Sequence, residues 1–224
     1  MKAQRPLFLV LVIKTFTRKT YIIYKRMKGT IMETIVQAKR VLEIFKEMSQ
    51  IPRESGNEKG ISDYIVNFAK NLGLEVHQDE VLNVVIKKAA SPGYENRPSI
   101  ILQGHIDMVC VKDHDSNHDF TKDPIANIIE GEWMRADHTT LGADNGMGAA
   151  MMLAILEDEN QQHGPMQLLF TTNEETGMDG AFALKEGQVT GDYLLNLDTE
   201  VEHDFTVSCA GGCHVHVNIP LLRD

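Results

Sequence analysis

The stretch Ser99-Ile100-Ile101-Leu102-Gln103-Gly104-His105-Ile106-Asp107 decides the fold. A short apolar run of this kind reads as a buried strand of a mostly parallel sheet. It ends on an imidazole and a carboxylate. Two further runs follow the same plan: Met166–Thr171 leads into Asn173-Glu174-Glu175, and the run 193–197 (YLLNL) leads into Asp198. Between them, Leu141-Gly142-Ala143-Asp144-Asn145-Gly146 opens an apolar helix. In open α/β sheets a site forms in the crevice beyond the carboxyl ends of the strands. One imidazole and several carboxylates at that edge are the ligand set of a hydrolytic zinc or manganese centre.

Outward from this core the pattern alternates. Residues 33–48 set Val36, Val41, Leu42, Ile44, Phe45 and Met48 on one helical face, with charges opposite, and Ile51-Pro52 stops that helix. Ser55-Gly56-Asn57 offers a cap for a second helix through Ile61, Tyr64, Ile65, Phe68 and Leu72, ended by Gly73. Residues 74–76 and 81–87 read as strands, followed by a turn at Ser91-Pro92-Gly93. Residues 113–127 form a polar loop of the kind that often carries function. Residues 131–135 read as a short strand and 144–159 as a helix. Strands and helices alternate as far as Asp198, which predicts an α/β architecture. After Cys209-Ala210-Gly211-Gly212 a new alternating strand runs from His214 to Ile219.

The chain has 224 residues and a net charge of −10, and that charge is unevenly spread. Residues 1–32 carry eight Lys or Arg and no acid, leaving 14 basic against 32 acidic residues in the remainder. So acidic a body argues against a nucleic-acid partner, because phosphate binding needs a basic footprint. Three cysteines, Cys110, Cys209 and Cys213, make no even disulfide framework and fit a reducing, cytoplasmic setting. The apolar run 7–13 follows Lys2 and Arg5 as in a secretory leader, yet no small-residue cleavage site follows it. It is also too short to span a bilayer, so no membrane is expected. Residues 1–31 read as a basic and apolar extension outside the fold, with Met27 or Met32 as the natural start.

Each candidate residue has a plain structural reading beside the chemical one. An isolated His-x-Asp is ordinarily a loop histidine and a solvated aspartate. A metal-bound imidazole needs an acceptor to fix its tautomer, so Asp107 suits an orienting role better than a ligand role. Asp144 sits either as a helix cap or as a carboxylate bridging two metal ions. Glu174 and Glu175 either complement a helix dipole or divide two tasks, one binding metal and the other serving as general base. Asp198 is either a solvated strand end or a ligand. Singly these structural readings are good; jointly they need several accidents on one sheet edge. Cys209, Cys213, His214 and His216 match no usual zinc spacing. A serine nucleophile is unsupported, since no G-x-S-x-G occurs.

With these residues assembled, the chain closely resembles the aminoacyl-histidine dipeptidases, a branch of the M20 metallopeptidases. The likeness runs through IPRESGNE (51–58), LQGHIDMV (102–109), HDFTKDPI (118–125), GEWMRA (131–136), TTLGADNGMG (139–148), TTNEETGMDGAF (171–182), LLNLDTE (194–200) and CAGG (209–212). The resemblance implies a zinc-exopeptidase-like mixed α/β sheet flanked by helices. It implies His105 and Asp198 as terminal ligands of one metal, Asp144 as the bridge, Glu175 as a ligand of the second metal, Glu174 as general base and acid, and Asp107 as the group orienting His105. The metals would be two Zn2+, with Mn2+ or Co2+ as alternatives. The substrate would be an unblocked dipeptide, typically with a C-terminal histidine. Two departures stand out. His138 takes the place of the usual glycine, and members of the family continue through a lid-like domain whose returning segment supplies the last histidine of the second metal. The resemblance therefore implies a catalytic domain begun at 32–207, a lid-like domain begun at 208–224, and a truncated fold whose second metal site is incomplete. An intact version would be expected as a homodimer. Two other readings remain: a non-catalytic remnant that binds one metal or a partner chain, and a related M20 peptidase or deacylase with other substrates.

Overall fold

The structure, a computed structural model, describes residues 12–16, 19–23, 31–131 and 133–199 with positions 206, 207 and 219, and side-chain surroundings from Ala38 onward. Cys209, Cys213, His214, His216 and nearly all of the expected strand 214–219 lie outside the described residues. A hairpin of β1 (Val12–Phe16) and β2 (Lys19–Ile23) comes first, and β2 lies beside β7 (Trp133–Ala136). Helices α1 (Ile31–Met48) and α2 (Lys59–Asn71) precede strands β3 (Glu75–Gln78), β4 (Val84–Lys88) and β5 (Ile100–His105). A second hairpin pairs β6 (Asn127–Glu130) with β7. The chain continues through α3 (Ala143–Glu157), β8 (Met166–Thr171), the short helices α4 (Glu174–Gly177) and α5 (Asp179–Phe182), and β9 (Tyr193–Asn196).

The central sheet has the order β3-β4-β8-β5-β9. Strands β8, β5 and β9 are parallel, whereas β3 pairs with β4 and β4 with β8 in antiparallel fashion. The sheet is therefore mixed rather than mostly parallel. The turn between β3 and β4 is too short for the crossover that a parallel pair requires. The parallel half positions the site: His105 pairs with Thr171, and Gln103 with Asn196, so three carboxyl ends lie side by side.

Alternation along the strands sorts two cores. Val84 and Ile86 of β4 and Leu168 and Phe170 of β8 face the main one, with Ile44, Phe45 and Met48 of α1, Ile61 and Ile65 of α2, and Met147, Met152 and Leu153 of α3. Each such side chain contributes on the order of 1.5–3 kcal/mol by leaving water. Val85, Ile101 and Leu169 face the other side, where Leu184 and Val189 cover them.

Three sequence expectations are adjusted. Ser55-Gly56-Asn57 does not cap α2, which starts at Lys59 after Glu58 without a side-chain cap bond; Ser55 is drawn instead to Asp107. Strand β6 emerges at the end of the expected polar loop because its partner β7 supplies the pairing. The run 193–197 forms β9 but is not buried. Among the described residues it lies at the sheet's edge, paired with β5, and Tyr193 remains 61% exposed.

Candidate metal centre

The in-register ends of β5, β8 and β9 aim His105, the Glu174-Glu175 pair and Asp198 at one crevice, while the α3 entrance brings Asp144 from the side. His105 is buried, and its Nε2 stands 3.0 Å from Asp144 Oδ1, 3.8 Å from Asp198 Oδ2 and 3.9 Å from Glu174 Oε2. Asp144 lies in the first turn of α3 but does not cap it. Its backbone is extended rather than helical, and the carboxylate turns toward the imidazole.

Asp107 organises this group from below. Fully buried, it faces His105 Nδ1 through Oδ1 at 3.2 Å and accepts Ser55 Oγ–H on Oδ2 at 2.8 Å. It also accepts the backbone N–H of Glu174 on Oδ1 and that of Glu175 on Oδ2, both at 3.1 Å. Burial alone would raise its pKa, but His105, Ser55 and the two amides outweigh that and hold it at about 2. An ionised Asp107 keeps a proton on Nδ1, which leaves the Nε2 lone pair for the crevice once that nitrogen is deprotonated.

The other carboxylates are in tension. Burial pushes Glu174 upward, with Asp198, Asp107 and Asp144 adding to it against the pull of His105. Glu175 is raised by burial and by Asp144. Asp198 is raised by burial; a hydrogen bond from Asn145 lowers it, and Asp144 raises it again. The bond to His105 lowers Asp144, against its own burial. In the metal-free chain burial disfavours a charged His105, but Asp107 and Asp144 carry its pKa up to about 10. So many anionic oxygens around one imidazole call for a cation. His105, Asp144 and Glu175, and likewise His105, Glu174 and Asp198, each bring one donor atom apiece to within 4.8 Å of one another. One nitrogen and four carboxylates, with the nitrogen's tautomer held from behind, suit a divalent ion.

Residues 101–219 match the profile of peptidase family M20/M25/M40. The chain belongs to that family. Over 182 residues it is 48% identical to the cytosol non-specific dipeptidase of Escherichia coli, covering 81% of this chain and 38% of that protein. Among solved structures, the aminoacylhistidine dipeptidase of Vibrio alginolyticus superposes with a TM-score of 0.70 at 48% identity, covering 71% of this chain and 33% of the other. A tripeptidase from Staphylococcus aureus gives a TM-score of 0.61 at 28% identity, covering 72% and 43%. The chain thus spans between 33% and 43% of the length of these relatives.

All six family positions read from the sequence, His105, Asp107, Asp144, Glu174, Glu175 and Asp198, meet at this crevice. The distances do not separate Glu174 from the ligands, since it stands as near His105 as Asp198 does. Cys110 is no nucleophile: burial, with Glu54 adding to it, pushes its thiol up to about 12. His138 has a left-handed backbone, φ 56°, and bonds Asp113 through Nδ1 at 2.8 Å.

Sequence reasoning passed over four supporting residues. Arg53 is buried and reaches backbone carbonyls on both sides of the crevice. Buried Glu58 accepts the N–H of Asn173, just ahead of Glu174. Asn83 accepts the N–H of Thr172 and donates to Gly180 O, bracing both ends of α4. Asn145 is buried beside the crevice, and its Oδ1 lies in a niche where a Cβ on Gly148 would collide with it and one on Gly104 would stand 3.0 Å away. The available signal was polar residues inside family-like segments, notably IPRESGNE and LGADNG.

Proposed function

We propose that the chain carries the N-terminal part, residues 32–207, of the catalytic domain of a metal-dependent dipeptidase acting on unblocked dipeptides, typically Xaa-His. The observation that carries this reading is the convergence of four carboxylates on the Nε2 side of a histidine whose Nδ1 is held by Asp107. The named activities of the Escherichia coli and Vibrio relatives support the substrate class. The cytoplasm is the proposed location, in keeping with the Escherichia coli relative's name. Among the described residues no helix is long and apolar enough to cross a membrane.

His105, Asp144 and Asp198 would hold one divalent ion, zinc, manganese or cobalt by the nature of these donors, and Asp144 with Glu175 would hold part of a second site. Bound there, such an ion supplies Lewis acidity toward a carbonyl oxygen and a water acidified toward neutral pH. Glu174 then takes the proton from the attacking water on its carboxylate and returns it to the leaving amine nitrogen. Burial raises its pKa, the direction that helps a carboxylate hold the proton before passing it on. Asp107 keeps the imidazole oriented throughout.

A second reading, a chain that binds one metal without turnover, draws on the fact that both donor groups share the same imidazole, His105. One experiment separates the two. The metal-loaded chain and Glu174→Gln are assayed on Xaa-His and other dipeptides, a tripeptide and an acylated amino acid, alongside metal titration. Dipeptide hydrolysis that falls at least a hundredfold in Glu174→Gln with metal binding intact is the expected result. Undiminished turnover in that variant would remove the proposed base. Metal binding with no turnover by the unaltered chain selects the second reading.

A further inference from the structure

Arg53 is 2% exposed, and its guanidinium lies where two glycines leave room. Nη1 donates to Ile106 O and to Asp107 O, each at 3.1 Å, and Nη2 donates to Gly142 O. The first two acceptors belong to the segment that carries His105 and Asp107. The third belongs to the segment that runs into Asp144. A Cβ on Gly142 would collide with Nη2, and a Cβ on Gly146 would stand 2.6 Å from it and 2.9 Å from Phe45 Cε2. Gly146 has no left-handed backbone, so the missing side chain there is a matter of space rather than of φ.

A buried guanidinium is costly unless its donors are satisfied. An apolar side chain would fill the volume at less cost. Among the described residues no carboxylate oxygen is hydrogen-bonded to Arg53; its donors go to main-chain carbonyls. Its surroundings are nevertheless acidic, with Asp107, Asp144 and Glu175 close enough to act on its charge. Carbonyls on two segments need a rigid fork, which arginine has and lysine lacks.

We propose that Arg53 is a positioning residue of the metal centre, clamping the His105–Asp107 segment to the Asp144 segment in the space left by Gly142 and Gly146. This rests on the metal-centre reading above. The fork sets the separation of His105 and Asp144, and its fixed positive charge offsets the carboxylates before a cation binds. Lysine in its place keeps a charge but cannot hold both segments at once. A methyl at position 146 pushes on the fork from the other side.

The test is zinc titration against a competing chelator for the full chain, Arg53→Lys, Arg53→Met, Gly146→Ala and the double variant Arg53→Lys/Gly146→Ala, with urea unfolding of each metal-free form. Loss of a group that orients a ligand commonly weakens metal binding 10–100-fold, and a drop of about tenfold or more is expected for both Arg53 variants and Gly146→Ala. The penalty of Gly146→Ala should shrink in the Arg53→Lys background, because Nη2 is gone. A merely structural arginine would shift the unfolding midpoint and leave the zinc affinity of the folded molecules unchanged. Folded Arg53→Lys binding zinc within about twofold of the unaltered chain would overturn the proposal. Should neither Arg53 variant fold, unchanged zinc affinity in Gly146→Ala would overturn it instead. No zinc binding by the unaltered chain defeats the metal-centre reading and this inference with it, whereas binding that is equal in all variants defeats this inference alone.

Discussion

Four donors converge on the Asp107 carboxylate: the His105 ring, the Ser55 hydroxyl and the main-chain N–H groups of Glu174 and Glu175. Replacing it by asparagine turns one acceptor into a donor that faces other donors. Each buried group left without a partner costs about 1–3 kcal/mol. Asp107→Asn should therefore lower the urea midpoint, and it should also weaken metal binding about 10–100-fold by freeing the imidazole. Asp144→Asn makes the contrast, since the Asp144 side chain is half exposed and sits among other acids. Stability there should fall less than in Asp107→Asn, because one bond to His105 is lost rather than four buried contacts, while metal affinity falls. Equal effects of the two variants on unfolding would contradict the separation of roles. At this scale the acids and the imidazole were legible because each ends an apolar strand or opens an apolar helix. Arg53 and Asn145 were not, because what they meet lies far away in the chain, at 106, 107 and 142 for the first and at Gly104 for the second.

The helices that back the sheet are tied by a polar network at the rim of the core. Arg40 of α1 donates to Glu157 at the end of α3 and to Glu47, and Tyr64 of α2 donates to Glu47 Oε2 at 2.7 Å. Burial raises Glu47, but the bonds from Tyr64 and Arg40 prevail and leave its pKa below the ordinary 4.5. A carboxyl with a depressed folded pKa contributes stability above its unfolded pKa and loses it as pH falls through the folded value. The chain should therefore lose part of its stability below about pH 4.5, and Glu47→Gln should make that loss shallower. Because Glu47 is 47% exposed, solvent screens the effect and it should fade in high salt. Urea midpoints measured from pH 6 to pH 3 check this; identical slopes for the two chains would exclude a linkage through Glu47. The elements themselves were readable from the helical period of α1 and from the apolar runs of α3, β5 and β8. They were less readable where pairing decides the matter. Strand β6 exists through β7, and β9 lies at an edge that its apolar sequence YLLN does not announce.

Across the whole molecule, acidity and apolar exposure compete. The body carries a large excess of acid, and burial with mutual repulsion already lifts Glu174, Glu175 and Asp198. Among the described residues, edge strand β9 meanwhile leaves Tyr193 and Leu194 in solvent, and Phe182 of α5 is exposed as well. A fold in this condition gains from any ligand that binds only the native state, by RT ln(1 + [L]/Kd). At a hundredfold excess over Kd a divalent ion should add about 2.7 kcal/mol. For a chain of this size that corresponds to a rise in Tm of roughly 5–10 °C. The rise should disappear on adding a chelator. It should also disappear in His105→Ala, because both candidate donor groups draw on that one imidazole. Binding should release protons, since His105 is held protonated in the metal-free chain, so the Tm shift at fixed metal concentration should shrink as pH falls from 8 to 6. A saturating ion that leaves Tm unmoved would show that the carboxylates around His105 are stable without a cation, and the metal centre would then have no thermodynamic basis.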